Sequence, residues 1–310
     1  MLHAALSRVC DGDEGRAARH FFGRHLARVT RFSASAFLFV CLVQAGCPVA
    51  RADESDKPDS SQGSRRRLAF MQSEIDDLDV SSSEIQNKAA LKLGRTPLLR
   101  YNDPTRGLDE QKAGLVDAGV WRLGESGRPT AIVTLEIYRA PGSQTRLSYE
   151  FVSLIPAPLT IASPRGPSWN PAGTELKMAL LPDAPRPADS QKVRLAQMRQ
   201  MSRRFAVRET LAKGEKVECR LLTQPIDRYA DEKAGITDGA MFVYANGTNP
   251  ELGLLLECSA VGWSCGIFRL SAAALLADLD GQQFFDAPQR FNQPRSAPYR
   301  GTDLPISLDE

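Results

Sequence analysis

The chain has 310 residues, with 39 Lys+Arg against 37 Asp+Glu, three histidines and a formal net charge of +2. Hydrophobic residues make up 42% and charged residues 25%, the profile of a globular chain. So even a balance excludes a protein that binds nucleic acid chiefly by neutralising phosphates.

Residues 28–52 read as a secretory signal peptide. Arg28 and Arg31 supply positive charge, residues 32–46 are uncharged and apolar, and Ala50-Arg51-Ala52 offers a small-x-small cleavage pattern before Asp53. The apolar run, about 15 residues, falls short of the roughly 20 that a spanning helix needs. The expectation is export to the periplasm or beyond, with residues 1–27 as an extended n-region and no transmembrane anchor after cleavage. Cleavage there changes the chemistry that remains. His3, His20 and His25 all go. Taking the leader's seven arginines and three acids from 39 and 37 leaves a mature net charge of −2. Without histidine there is no Ser-His-Asp or Cys-His nucleophile and no imidazole-bound zinc.

Residues 53–64 are polar and read as a flexible spacer, and 65–285 as one compact domain. Leu68, Met71, Ile75 and Leu78 recur at helical spacing, which predicts an N-terminal helical segment. Ser81-Ser82-Ser83-Glu84 offers a capping box for a second short helix to about residue 93. Alternation then predicts strands over 116–123, 131–138 and 146–155. A proline-rich stretch, 156–187, contains one predicted strand at 174–181. A long connecting helix follows, about 190–213, with Arg194, Arg199, Arg203, Arg204 and Arg208 on its polar face. Such a face is either solvated and locally paired or a basic surface for an anionic polymer. Strands over 240–245, 252–260 and 264–270 come next, the first two joined at Asn246-Gly247. A short helix is predicted over 271–279. Residues 286–310, with four prolines, are expected to be disordered.

Two stretches of this chain match. Arg100-Tyr101-Asn102-Asp103 reappears as Arg228-Tyr229-Ala230-Asp231. Asp117, Trp121, Pro129 and Glu136 reappear 121 residues later as Asp238, Phe242, Pro250 and Glu257. These define repeat one, about 95–164, and repeat two, about 216–281. The predicted class is therefore α+β: a mostly antiparallel sheet from two tandem β-hairpin repeats, one long connecting helix and an N-terminal helical segment.

The shared residues, Arg100, Tyr101, Asp103, Asp117 and their counterparts Arg228, Tyr229, Asp231 and Asp238, are the candidate binding site. Read structurally, the arginines pair with the acids and the aspartates close turns. Read functionally, a pseudo-twofold brings the acids together. Clustered carboxylates suit a hard cation such as Ca²⁺, although the loops carry no EF-hand spacing. Two acids among Asp103, Asp117, Asp231, Asp238, Glu136 and Glu257 would suit glycoside hydrolysis. Cys258 and Cys265 flank a predicted turn, where a disulfide and two buried thiols remain equal readings. The expectation is an exported, non-catalytic binding or structural protein without a cofactor, meeting a cell-envelope ligand or protein and no nucleic acid. The alternative is a carboxylate-dependent hydrolase acting on polysaccharide.

The run Leu221-Leu222-Thr223-Gln224-Pro225-Ile226-Asp227-Arg228-Tyr229, with Gly239-Ala240-Met241-Phe242 and Gly247-Thr248-Asn249-Pro250-Glu251, resembles uncharacterised exported proteins of planctomycete bacteria. So do Asp103-Pro104-Thr105-Arg106-Gly107 and Leu181-Pro182-Asp183-Ala184-Pro185. The resemblance spans about 98–279 and implies no activity, cofactor or catalytic residue.

Overall fold

A computed structural model describes residues 61–103, 114–139, 144–211, 214–290 and 292–308. The signal peptide expected over 1–52 and most of the spacer expected over 53–64 lie outside them. In chain order the elements are α1 (Ser61–Asp76), β1 (Asp79–Ser81), a 3-10 turn (Lys88–Leu91), β2 (Leu99–Asp103), β3 (Gly114–Leu123), β4 (Ala131–Arg139), β5 (Thr145–Ser153), β6 (Thr160–Ala162), β7 (Ser168–Trp169) and β8 (Ala179–Leu180). Then follow α2 (Gln191–Ser202), β9 (Phe205–Thr210), β10 (Lys216–Asp231), β11 (Ile236–Asn246), β12 (Asn249–Ser259), β13 (Gly262–Arg269), β14 (Ala274–Leu279), β15 (Gln282–Ala287) and β16 (Tyr299–Pro305).

These strands build three antiparallel sheets. One has five strands in the order β16-β5-β4-β3-β2, and one has eight in the order β15-β14-β9-β10-β11-β12-β13-β8 and curls into a half-barrel. The third is the small sheet β1-β6-β7. The two larger sheets face each other, and each carries a helix on its outer side. Strand alternation explains the layers. On β3, Trp121 and Leu123 meet Met71 and Ile75 of α1, while Ala118 and Val120 turn inward. On β11, Phe242 and Tyr244 meet Met198 and Met201 of α2, while Met241 and Val243 turn inward. Both faces of these central strands are covered, so they read as near-continuous hydrophobic runs.

The central hairpins are equivalent pair by pair. Seven consecutive pairs of β3 and β4, from Asp117–Ile137 to Leu123–Ala131, have counterparts 121 residues later, from Asp238–Cys258 to Tyr244–Leu252. Trp121 and Phe242 occupy the same place, each fully buried against its helix.

The expected α+β class with a long helix is incorrect. Half of the described residues are in strands and 13% are helical. The helix expected over 190–213 is 12 residues long and stops at Ser202. From Phe205 the sequence changes period: Phe205, Val207 and Glu209 are buried and alternate with exposed or half-buried neighbours, so this stretch forms β9. The helix expected over 271–279 is β14, despite three leucines and four alanines that favour a helix. Pairing with β9 and alternate burial of Leu275, Ala277 and Leu279 override that propensity. The short helix expected after Ser81 is reduced to the 3-10 turn, capped by Asn87, whose side chain accepts from Ala89 N. The tail expected to be disordered supplies the end of β15 and all of β16, which pairs with β5 over seven residues and buries Tyr299. Cys219, Cys258 and Cys265 are free thiols. Cys258 lies opposite Trp263 and Cys265 opposite Leu256, so the pair considered for a disulfide is diagonal rather than facing.

Tyr229 lies flat across Gly239, where an added Cβ would stand 2.5 Å from the ring. In the equivalent place Tyr101 crosses Ala118. Gly239→Ala should therefore destabilise the protein by about 1–3 kcal/mol through overpacking. Ala118→Gly, which removes one methyl group, should cost less. Urea denaturation of the two variants checks the asymmetry.

Candidate functional site

The residues shared by the two sequence repeats form two pairs of equivalent centres, one on each face of each central strand. On the helix-facing side, Asp117 sits on β3 and is 4% exposed. Arg100, one strand away on β2, donates from Nε to Asp117 Oδ1 at 2.8 Å, and its Nη2 bonds Oδ2 as well. Arg67 of α1 reaches the same carboxylate at 3.1 Å. Arg100 Nη2 also donates to the Ser64 carbonyl at 2.6 Å, pinning the first turns of α1. The second unit repeats each contact. Arg228 donates to Asp238 at 2.9 and 2.7 Å, Arg194 of α2 donates at 2.9 Å, and Arg228 Nη2 donates to the Gln191 carbonyl at 2.6 Å. Asp238 is 2% exposed. Hydrogen bonding to Asp117 raises the Arg100 pKa above its ordinary value.

The helix half of this arrangement was not anticipated. Its signal is nevertheless present in the sequence. Arg67-Leu68-Ala69-Phe70-Met71 matches Arg194-Leu195-Ala196-Gln197-Met198. The arginine holds the acid and the methionine enters the core in both. The equivalent units are thus a helix followed by a sheet, not hairpins alone.

On the inner face, one residue further along, Tyr101 reaches across Ala118 and donates to Glu136 at 2.8 Å. Tyr229 reaches across Gly239 and donates to Glu257 at 2.7 Å. Burial pushes both phenols well above their usual range, with the neighbouring glutamate adding to it. Glu257 also takes a two-pronged bond from Arg128, at 2.7 and 2.5 Å, so a guanidinium from the first unit's central turn ties the second unit's glutamate.

Asp103 and Asp231 mark the junctions between units. Asp231 Oδ2 stands 2.5 Å from where a Cβ on Gly127, in the first unit's central turn, would be, and its Oδ1 accepts from Ala234 N at 3.1 Å. Asp103 Oδ2 stands 4.0 Å from the equivalent position on Gly247, in the second unit's turn, where Thr248 Oγ1 bonds the Asn102 carbonyl. β2 and β10 therefore each end on the other unit's turn. The structure does not bring these two acids together. Asp103 pairs with Leu115 at the start of β3, and Asp231 lies beyond its end. At ~3.3 Å per residue they are about 25 Å apart. Asp117 and Glu136 face opposite sides of their sheet, as do Asp238 and Glu257.

A second group of acids was missed. Glu150, on β5, faces Glu136 and Glu251 between the sheets and accepts from Tyr299 at 2.9 Å. Arg269 lies 5.2 Å over the Tyr299 ring. Desolvation pushes the Glu150 carboxyl well above the carboxylate range, the charges of Glu136 and Glu251 add to this, and Tyr299 and Arg269 oppose it. The cavity reaching Tyr299 and Arg269 is about 20 Å³, room for a water and not for a sugar ring. Among the described residues no three His, Cys, Asp or Glu side chains converge as a metal site requires. No described helix is long and apolar enough to cross a membrane.

The five arginines at 194–208 are mostly engaged. Arg194, Arg199, Arg204 and Arg208 bond Asp238, Gln224, Asp280 and Asp278. No family model, curated protein or solved structure matches this chain.

Two expectations follow. Asp238→Ala strands Arg194 and Arg228 beneath α2, and losing one partner of a buried charge pair costs about 3–5 kcal/mol. Asp117→Ala should cost a similar amount, and urea denaturation measures both. Glu150 binds its proton more tightly when folded than unfolded. Its contribution is complete below the unfolded carboxylate pKa and is lost as pH rises through the raised folded value. Glu150→Gln, which keeps an acceptor for Tyr299, should thus gain stability over wild type as pH rises from 4 to 8. A pH-independent difference between the two in thermal melts would contradict this.

Proposed function

We propose that this chain is an exported, non-catalytic binding protein, in which the duplicated acids hold the fold. One observation carries the reading. Asp117 and Asp238 are each buried under two guanidiniums, one from the neighbouring strand and one from the covering helix. A catalytic carboxylate needs access to substrate, and these have none. The remaining shared acids fit the same reading, with Glu136 and Glu257 bonded to tyrosines and Asp231 closing a turn. The hydrolase alternative needs two carboxyls roughly 5–9 Å apart across an open cleft. Glu136 and Glu150 are neighbours, yet each is half-buried and already accepts from a tyrosine, Tyr101 or Tyr299. The acidic excess expected after cleavage adds no pull toward nucleic acid, and a cell-envelope ligand is the partner class that export implies.

The test pairs activity with stability. The purified protein, Asp238→Asn and Glu150→Gln are incubated with a panel of neutral and acidic polysaccharides, and released reducing ends are assayed. The expected result is no release by any of the three, with a lowered melting temperature for Asp238→Asn. Release by wild type that a folded variant abolishes would establish the hydrolase instead.

A further inference from the structure

The eight-stranded sheet opens between β9 and β10. β9 and β10 run together for four pairs only, from Lys216–Thr210 to Cys219–Val207. Past Cys219, β10 stays with β11, pairing Arg220 with Ala245 and Leu221 with Tyr244. Before Val207, β9 stays with β14, pairing Ala206 with Asp278 and Phe205 with Leu279. The strands part, leaving a slot of about 470 Å³ between them. That is within the ~300–1,000 Å³ of small-ligand pockets, and the mouth of a curled sheet is a common place for one.

The floor of the slot is the core itself: Phe205, Val207, Cys219, Leu221 and Tyr244. Burial holds the Cys219 thiol up at about 12, so it is a neutral wall and not a thiolate. Tyr244 spends its hydroxyl on the Ser202 carbonyl at the end of α2. The rim carries Arg203, Glu218 and Arg220, all exposed. Arg203 is the residue of the 194–208 set that has no acidic or amide side chain to bond among the described residues. Arg220 makes a single 3.4 Å bond to the Gly247 carbonyl. An apolar floor under two available guanidiniums and one carboxylate selects a ligand with a hydrocarbon part and a negative end.

We propose that this slot binds a single-chain carboxylate, with its alkyl chain between β9 and β10 and its acid group between Arg203 and Arg220. The assignment rests on the binding reading above and names the ligand class it left open. Cationic and neutral amphiphiles lack the group that the two arginines would hold, and a short acid lacks the part that the floor would hold.

Calorimetric titration of the full chain with decanoate, decanol and acetate tests this. Decanoate should bind one per chain, at least tenfold more tightly than decanol, with no heat from acetate. Arg203→Glu/Arg220→Glu should weaken decanoate at least tenfold and leave decanol unchanged. Ala206→Trp, which places a bulky ring at the slot wall, should weaken both. Circular dichroism confirms that each variant is folded, and the single exposed change Arg203→Glu serves if the double variant is not. Absence of decanoate binding, equal binding of decanol, or binding indifferent to these changes would overturn the slot and leave the non-catalytic reading standing. Release of reducing ends from polysaccharide would overturn that reading without touching the titration.

Discussion

A carboxylate placed beneath a helix needs positive charge brought to it, and the rest of this structure is arranged around meeting that need twice. Asp117 and Asp238 each draw one arginine from the strand that precedes theirs, β2 or β10, and one from the covering helix. The strand arginine also holds a helix carbonyl, Ser64 or Gln191, so helix, preceding strand and central strand are fixed at one point. The next residue, Ala118 or Gly239, turns to the other face and lets a tyrosine cross to a glutamate on the third strand. Two adjacent positions on one strand therefore lock both faces of a sheet. Methionines from the helices add the non-directional part, filling the space that the ion pairs orient.

The two units are not interchangeable, and their differences fall on the surface they share. Arg122 of β3 pairs with Asp227 of β10 at 2.6 Å. The corresponding places hold Val243 and Leu99, which belong to the inner apolar cluster. Arg128 crosses to Glu257, while its counterpart Asn249 bonds Glu251 at 3.0 Å within its own unit. A contact that is ionic at one end of the junction is apolar or local at the other. Such asymmetry makes the interface specific, because exchanging the units would leave charges facing hydrocarbon.

What could be read from the chain depended on which force decides each segment. The central hairpins were legible because Asp117 to Glu136 and Asp238 to Glu257 keep one register without a gap, and Asn246-Gly247 marks its turn, with Gly247 at φ +62°. α1 was legible because Leu68, Met71 and Ile75 carry its period. β9 and β14 were not. Their alanines, leucines and arginines satisfy helix propensity, and pairing with each other and with β10 and β15 selects the strand. β16 is short, flanked by prolines and polar, and owes its place to the open edge of β5. The shared residues stand out in the sequence, but sequence proximity could not say which faces they take. A one-residue step on a strand sends Asp117 to the helix and Ala118 to the interior, which separates groups that look clustered on paper. The slot beside Arg203 was invisible for a related reason, since it arises where two ladders diverge and no local pattern records that.

The place of β16 sets an order on how this chain can assemble. The second unit's sheet is continuous in sequence, from β8 to β15. The first is not: β5 waits for a strand that follows the whole of the second unit, and the Tyr299–Glu150 bond spans 149 residues. Until that strand arrives, the half that is synthesised first keeps an unpaired edge, the kind of surface that recruits foreign strands. The entropy of closing so long a loop grows only slowly with its length, so the difficulty is one of timing rather than of energy. The earlier half is finished last, and a chain cut short after β15 would leave β5 as a permanent open edge.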